Sequence, residues 1–361
     1  MKVKRIELFN YRNYLSKTIE FGDGLNVISG HNAQGKTNLI EAVYFCAVGK
    51  SFRATREKDV INWGKDIAKI KVIIEKEIGQ KTIEIFFSKN QKKTIKIDGL
   101  PIKKIGELMG ELNAVFFAPD ELKLIKDSPE DRRRFMDISL SQTYKDYFYT
   151  LSKYNKLLQS RNKCLKAYNN DENSLKKLLS IYDLQLADSM LKIKKYREKF
   201  IEKLSPYSKL VHEYITSKEE TIGLEYVGIQ ENSIDEILAS LKNCADKDIK
   251  LGFTTYGIHR DDIKVDINGV DVRAFGSQGQ QRTSALSMKL AELEIIKQDT
   301  SKVPILLLDD VLSELDDERK LKLLKFCTKA QTLLTCTEFT FDVPCTKIVI
   351  KNGKNTKWVV L

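Results

Sequence analysis

The 361-residue sequence carries 61 Lys/Arg against 50 Asp/Glu, a formal net charge of +11, with 42% hydrophobic and 31% charged residues. That length suggests two domains, or one large domain with an insertion, and room for a sizeable core. No apolar run reaches membrane-span length, and Ile6 to Tyr14 is interrupted by Glu7, Asn10 and Arg12, so the expectation is a cytoplasmic protein with no membrane segment and no signal peptide.

Six cysteines without CxxC spacing and only three His argue for reduced thiols and against a Cys/His metal site. The charge is unevenly placed: residues 1–118 hold 21 Lys/Arg against 13 Asp/Glu, residues 119–251 hold 24 against 22, and the rest 16 against 15. A basic N-terminal third fits an anionic polymer such as nucleic acid. It fits a merely basic surface equally well.

The chain opens with a strand, Val3 to Leu8, then Tyr11-Arg12-Asn13-Tyr14, and a second strand, Thr18 to Phe21. Leu25 to Ser29 is a short apolar run. It leads into Gly30-His31-Asn32-Ala33-Gln34-Gly35-Lys36-Thr37 and an apolar helical segment, Asn38 to Val48. Strand, glycine-rich loop and helix are the context of a phosphate-binding P-loop. Glycine lets consecutive N–H groups turn inward on an anion, and the helix adds its positive end. Gly30 to Gly35 would cradle the phosphates of ATP, Lys36 would reach the β- and γ-phosphates, and Thr37 would offer its hydroxyl to Mg²⁺.

The period then changes to two. Ile67 to Glu75, Thr82 to Phe87 and Thr94 to Ile97 predict antiparallel strands with turns at Gly79-Gln80 and Asp98-Gly99. Around Phe116 the character shifts to helix. Ser128-Pro129-Glu130-Asp131 signals a helix start with Ser128 as cap, leading into Arg132-Arg133-Arg134. Two long helical segments, Lys145 to Tyr168 and Ser174 to Leu204, flank the polar loop Asn169 to Asn173 and predict a short helical hairpin. A shorter helix, Ser233 to Cys244, precedes a strand pair, Ile263 to Ile267 and Val270 to Val272, about Asn268-Gly269.

Gly276-Ser277-Gln278-Gly279-Gln280-Gln281-Arg282 opens an apolar helix, Thr283 to Ile296. Small residues at a helix start make a second anion-binding surface. The apolar strand Val303 to Leu308 ends in Asp309-Asp310, a Walker B pattern: Asp309 would hold Mg²⁺ and Asp310 would orient or deprotonate the attacking water. Two short strands, Thr332 to Thr335 and Lys347 to Ile350, close the chain.

P-loop, insertion, signature loop and Walker B, in that order, resemble the ABC-type ATPase heads of the SMC group, and Ser313 to Asp316 resembles their D-loop. Tyr11 to Tyr14, the P-loop with Asn38-Leu39-Ile40-Glu41-Ala42, Pro129 to Asp137, His259-Arg260-Asp261-Asp262, Ser277 to Arg282 and Leu306 to Asp316 together resemble the RecF family. Ile258 stands where that family usually has Pro, and Thr335-Cys336-Thr337 where transporter ATPases carry a switch His.

The resemblance implies an α/β P-loop head built from both chain ends, 1–117 and 251–361, around a mainly helical insertion, 118–250. It implies a slow, DNA-stimulated ATPase used as a switch, which forms an ATP-dependent homodimer. Arg12 and Gln280 would join the nucleotide contacts, and Ser277 of one protomer would face the P-loop of the other. It also implies a role in recombinational DNA repair: binding at gapped or junction DNA, and loading of RecA together with RecO and RecR. Lys50, Arg53, Arg56, Lys192, Lys194, Lys195, Arg197 and Lys199 are candidate DNA contacts or solvated surface charges. A transporter ATPase subunit and a non-hydrolysing ATP-binding adaptor are the rival readings.

Overall fold

The fold is that of a computed structural model, which describes residues 1–167, 172–350 and 358–360. It divides into two compact units. Unit 1 comprises Met1–Leu122, Leu210–Glu220 and Arg282–Leu361; unit 2 comprises Lys123–Lys209 and Thr221–Gln281.

Unit 1 contains two six-stranded sheets. The antiparallel sheet runs β2 (Tyr14–Glu20), β1 (Lys2–Tyr11), β4 (Ile67–Glu75), β5 (Gln80–Ser88), β6 (Thr94–Ile97), β7 (Leu100–Pro101). Strict alternation in β4 and β5 buries one face, which is why their period of two is plain in the sequence. The second sheet runs β15 (Trp358–Val360), β14 (Thr346–Val349), β3 (Leu25–Ser29), β13 (Thr332–Cys336), β12 (Ile305–Asp309), β8 (Ala114–Phe117), parallel except for β15.

Helix α1 (Lys36–Val48) packs against strands of both sheets, so Leu39 through Ala47 are buried all round. A single core joins its residues to Ile6, Ile70 and Ile85 of one sheet and Ile28, Leu307 and Leu333 of the other. Gln331 ties the chain ends together. Its amide accepts from the Val3 N–H (2.6 Å) and donates to the carbonyls of Val3 and Gly22 (both 2.8 Å).

Unit 2 holds α2 (Lys123–Lys126), α3 (Pro129–Thr143), α4 (Lys145–Lys166), most of α5 (Glu172–Ile215), α6 (Ile234–Leu251), α7 (Val272–Phe275), and the start of α8 (Gln278–Thr300). Its sheet is β11 (Val270–Asp271), β10 (Asp262–Ile267) and β9 (Ile222–Val227), all antiparallel. Helix α9 (Asp317–Cys327) belongs to unit 1. The two long helices of the expected hairpin are present, but α5 continues through Pro206 to Ile215. The expected loop at 169–173 falls, for 169–171, outside the described residues, as does Tyr168.

Several expectations need correction. The segment around Phe116 forms buried strand β8, because four consecutive apolar residues beside β12 carry no helical period. Ser128 makes no capping bond with its hydroxyl, although Pro129 does open α3. Val272 belongs to α7 rather than to a strand. The expected division at 250/251 also shifts: 210–220 groups with unit 1 and 251–281 with unit 2.

The physical reason for that shift is hydrogen bonding and charge. His212 Nδ1 meets Ser287 Oγ (3.1 Å), and Lys322 Nζ donates to the Ile215 carbonyl (3.2 Å). In unit 2, β10 pairs with β9, Arg132 bonds both Asp262 oxygens, and Arg133 donates to the Asp261 carbonyl (2.7 Å).

Arg197, at 1% exposure, donates to Asp137 (2.8 Å), Asp261 (2.6 Å), the Ile258 carbonyl (2.7 Å) and the Tyr147 hydroxyl (3.2 Å). Arg197→Ala leaves two carboxylates inside the unit without their cation. Denaturant unfolding followed by far-UV circular dichroism is expected to show a loss of about 3–5 kcal/mol for the transition of unit 2. A loss below about 1 kcal/mol, the scale of an exposed ion pair, would contradict a buried anchoring role.

Candidate functional site

The glycine-rich loop joins β3 to α1, and its backbone explains its residues. Gly30 has φ +152°, and a Cβ there would lie 2.4 Å from the Ile350 carbonyl oxygen. Gly35 has φ +110°, and a Cβ there would lie 2.7 Å from the Asn13 amide. Both positions exclude a side chain on steric grounds, whatever the loop binds. His31, Asn32 and Ala33 are exposed, and Gln34 is half-buried. Lys36 is buried, and its Nζ is held against the loop, donating to the carbonyls of Gly30 (2.5 Å) and His31 (3.0 Å).

The acid pair arrives from the other end of the chain. Register places Asp309 of β12 opposite Thr335 of β13, and Cys336 opposite Ser29 of β3. The three parallel strands therefore end side by side, where α/β sheets present ligands. Asp309 Oδ1 accepts from Thr37 Oγ1 (3.0 Å) and Thr335 Oγ1 (2.6 Å). Burial pushes the Asp309 carboxyl above its usual range, against the lowering effect of those two hydroxyl bonds. Asp310 turns off the strand at φ +52°. Its N–H donates to Thr335 Oγ1 (2.9 Å), and its carbonyl accepts from Ser313 Oγ (2.7 Å).

A desolvated carboxylate beside a threonine hydroxyl at the first turn of a helix suits a hard divalent cation that keeps most of its water. Thr37 and Asp309 are the side chains here that fit Mg²⁺.

The β1–β2 turn supports the loop from outside. Asn13 Nδ2 donates to the Gln34 carbonyl (2.9 Å), Tyr14 hydroxyl to the Gly35 carbonyl (2.9 Å), and Asn38 Nδ2 to Asn13 Oδ1 (2.8 Å). Arg12, expected as a nucleotide contact, directs its guanidinium to Glu41 (Nε 2.9 Å, Nη2 2.7 Å) and to the Asp59 carbonyl (2.9 Å).

Ser277 and Gln280 form a reciprocal cap at the start of α8: Ser277 N–H donates to Gln280 Oε1 (2.8 Å), and Gln280 N–H donates to Ser277 Oγ (3.2 Å). Ser277 is exposed. Both residues belong to unit 2, whereas Gly30–Thr37, Asp309 and Asp310 belong to unit 1. In the D-loop segment, Glu314 pairs with Arg282, and Asp316 caps α9 through the Arg319 N–H (2.9 Å).

Two candidate DNA contacts lie inside the protein. Lys194 Nζ donates to the carbonyls of Gln230 (3.0 Å) and Glu231 (2.9 Å) and to Asn232 Oδ1 (2.8 Å), and Arg197 is the buried anchor described above. Lys192, Lys195 and Lys199 of the same helix are exposed, as are Lys50, Arg53 and Arg56. Sequence reasoning gave no role to Thr335, Glu41 and Ser51, nor to Asn13 and Tyr14, although the runs containing Glu41, Asn13 and Tyr14 carried the family resemblance.

The family model described as RecF/RecN/SMC N terminal domain matches residues 2–340. The DNA replication and repair protein RecF of Clostridium perfringens strain SM101 is 46% identical over 340 residues, which cover 93% of each chain. That of Clostridium kluyveri is likewise 46% identical over 340 residues, with the same coverage. A solved structure of the recombination mediator protein RecF with ATP, described as part of the RecFOR pathway, has 34% identity and a TM-score of 0.90, covering 99% of this chain and 97% of that one. The Smc head domain with an extended coiled coil from Pyrococcus furiosus aligns over 99% of this chain and 96% of that one, with 17% identity and a TM-score of 0.57, a likeness of fold.

Tyr14→Phe removes the hydroxyl bond to the Gly35 carbonyl without changing the ring. The expected outcome is a stability loss of about 1 kcal/mol and faster hydrogen exchange of amides 34–37. Unchanged exchange there would show that the β1–β2 turn does not support the loop.

Proposed function

This chain belongs to the RecF family of DNA replication and repair proteins, and on that premise we propose that unit 1 is an ATPase head whose ATP-driven dimerisation controls binding to DNA. The observation that carries the reading is the meeting of Thr37 and Asp309 beside a P-loop, since a magnesium nucleotide needs both halves together. The relatives are replication and repair proteins, which leaves the transporter rival without support. Among the described residues no helix is long and apolar enough to cross a membrane.

In this reading the backbone of Gly30–Gly35 and the Lys36 ammonium hold the phosphates. Thr37 and Asp309 would hold Mg²⁺, which would supply positive charge to offset the charge that develops on the phosphates. Asp310 orients the attacking water and takes its proton as the water oxygen bonds to the γ-phosphorus. The bond from the γ-phosphorus to the bridging oxygen breaks, releasing ADP and phosphate. Ser277 and Gln280 act on the nucleotide of a second protomer, so hydrolysis would open the dimer.

DNA contacts would be phosphate-directed and salt-sensitive, drawn from the exposed cations rather than from Lys194 or Arg197. RecO, RecR and RecA would be the partners at gapped DNA, in the cytoplasm.

Lys36→Ala is expected to abolish ATP binding in calorimetry while the circular dichroism stays native, because the ammonium belongs to no core. Native-level affinity would remove the P-loop assignment. Asp310→Asn is expected to keep ATP affinity and slow turnover by about 10²-fold or more, with accumulation of the ATP-bound dimer. Turnover at the native rate would exclude Asp310 as the base.

Ser277→Arg should bind ATP yet fail to dimerise in light scattering. Mixing it with Lys36→Ala should restore partial turnover, since each mixed dimer then contains one intact site and one doubly damaged site. Normal ATP-dependent dimers of Ser277→Arg alone would reject the shared site.

A further inference from the structure

Glu41 lies on α1 with no exposed surface, and it collects an unusual number of donors. Its Oε1 accepts from Arg12 Nη2 (2.7 Å) and Ser51 Oγ (2.5 Å). Its Oε2 accepts from Arg12 Nε (2.9 Å), the Tyr11 hydroxyl (3.0 Å) and Arg53 Nη2 (3.2 Å). A carboxylate offers about four acceptor sites, so five donors saturate it. Burial by itself would raise this carboxyl. The bonds from Arg12 and Ser51 and the charge of Arg53 outweigh burial and hold it below its usual range, ionised at neutral pH.

The bidentate Arg12 pair matters because of what Arg12 does to the backbone. Arg12 has φ +50°, a left-handed conformation that a side chain of this size adopts only under constraint. The Arg12 N–H is bonded to the Val60 carbonyl (2.7 Å), and its Nη1 to the Asp59 carbonyl. Arg12 is thus held at both main chain and side chain. The next two residues are Asn13 and Tyr14, which grip the carbonyls of Gln34 and Gly35. Ser51 links a further segment, since its hydroxyl also accepts from the N–H groups of Arg53 (2.9 Å) and Ala54 (2.7 Å).

We propose that Glu41 is a positioning residue for nucleotide binding: a buried anion that fixes Arg12 in its left-handed turn, so that Asn13 and Tyr14 hold the P-loop in phosphate-accepting form. The inference rests on the nucleotide-binding reading above. Glu41 itself touches no phosphate; it acts through Arg12. Arg53, with the longest of the five bonds and a partly exposed side chain, can leave without stripping the carboxylate of its partners.

The test uses the full chain, a non-hydrolysable ATP analogue and Mg²⁺. Glu41→Gln keeps shape and removes the charge. Its Kd for the analogue is expected to rise about 10-fold or more, the scale of a displaced binding group, while the hydrolysis rate at saturating ATP stays within about twofold. Exchange of amides 34–37 should quicken. Arg12→Gln should show the same rise, and the double variant should bind no more weakly than Arg12→Gln alone. If Glu41→Gln does not fold, the rise in Kd and the faster exchange in Arg12→Gln carry the test.

An unchanged Kd in Glu41→Gln, even with a lowered Tm, would reduce Glu41 to a packing role and overturn the proposal. Additive losses in the double variant would also overturn it, by placing Arg12 on the nucleotide directly. A wild-type chain with no measurable affinity for the analogue would instead remove the nucleotide reading itself.

Discussion

The candidate site depends on one hydrogen bond between the two ends of the chain, Thr37 Oγ1 to Asp309 Oδ1. A loop of this type and an acidic strand end mean little apart. They converge because β3, β13 and β12 are neighbours in one parallel sheet with their C-terminal ends in register. Parallel strands need long crossovers, and here unit 2 is accommodated within one of them. The sheet order is itself secured by burial on both faces, visible in the uninterrupted buried runs Leu25–Ile28, Ile305–Asp309 and Thr332–Cys336, which are apolar except at Asn26, Asp309, Thr332 and Thr335.

Each unit carries a buried ionic anchor of similar design. In unit 1, Glu41 gathers Arg12, Arg53, Tyr11 and Ser51. In unit 2, Arg197 gathers Asp137, Asp261 and Tyr147. Each central charge is fully desolvated and well supplied with partners, the condition under which a buried charge is tolerable. Such centres fix the relative placement of several segments more sharply than apolar contact does, because hydrogen bonds have direction. The segments they fix carry the sequence runs that announced the family: Tyr11 to Tyr14 in one unit, His259 to Asp262 in the other.

The glycine-rich loop and the acidic strand end were legible in the sequence because each is local: glycines at required backbone angles, an apolar run, acids at its end. The antiparallel strands were legible because one buried face imposes a period of two. Strand β8 was not, since Ala114–Phe117 is buried on both faces and four apolar residues carry no period. The placement of 251–281 was not legible either, because it depends on Arg132 meeting Asp262 across 130 residues. Arg197 offered a usable signal. Ile193, Arg197 and Phe200 lie at helical spacing on one buried face, and a cation in an apolar stripe points to a buried partner rather than to solvent. Thr335 gave no such signal: its role arises only from β13 lying beside β12.

The most direct measurement of the central claim is the dependence of ATP affinity on Mg²⁺ in the wild-type chain and in Asp309→Ala, by calorimetry with and without chelator. Both should bind ATP comparably in chelator, and Mg²⁺ should strengthen binding only in the wild type, because Asp309, 272 residues from Thr37 in sequence, meets its hydroxyl and would hold the metal with it. An Asp309→Ala variant that keeps the full Mg²⁺-dependent gain would show that the two chain ends do not build one site.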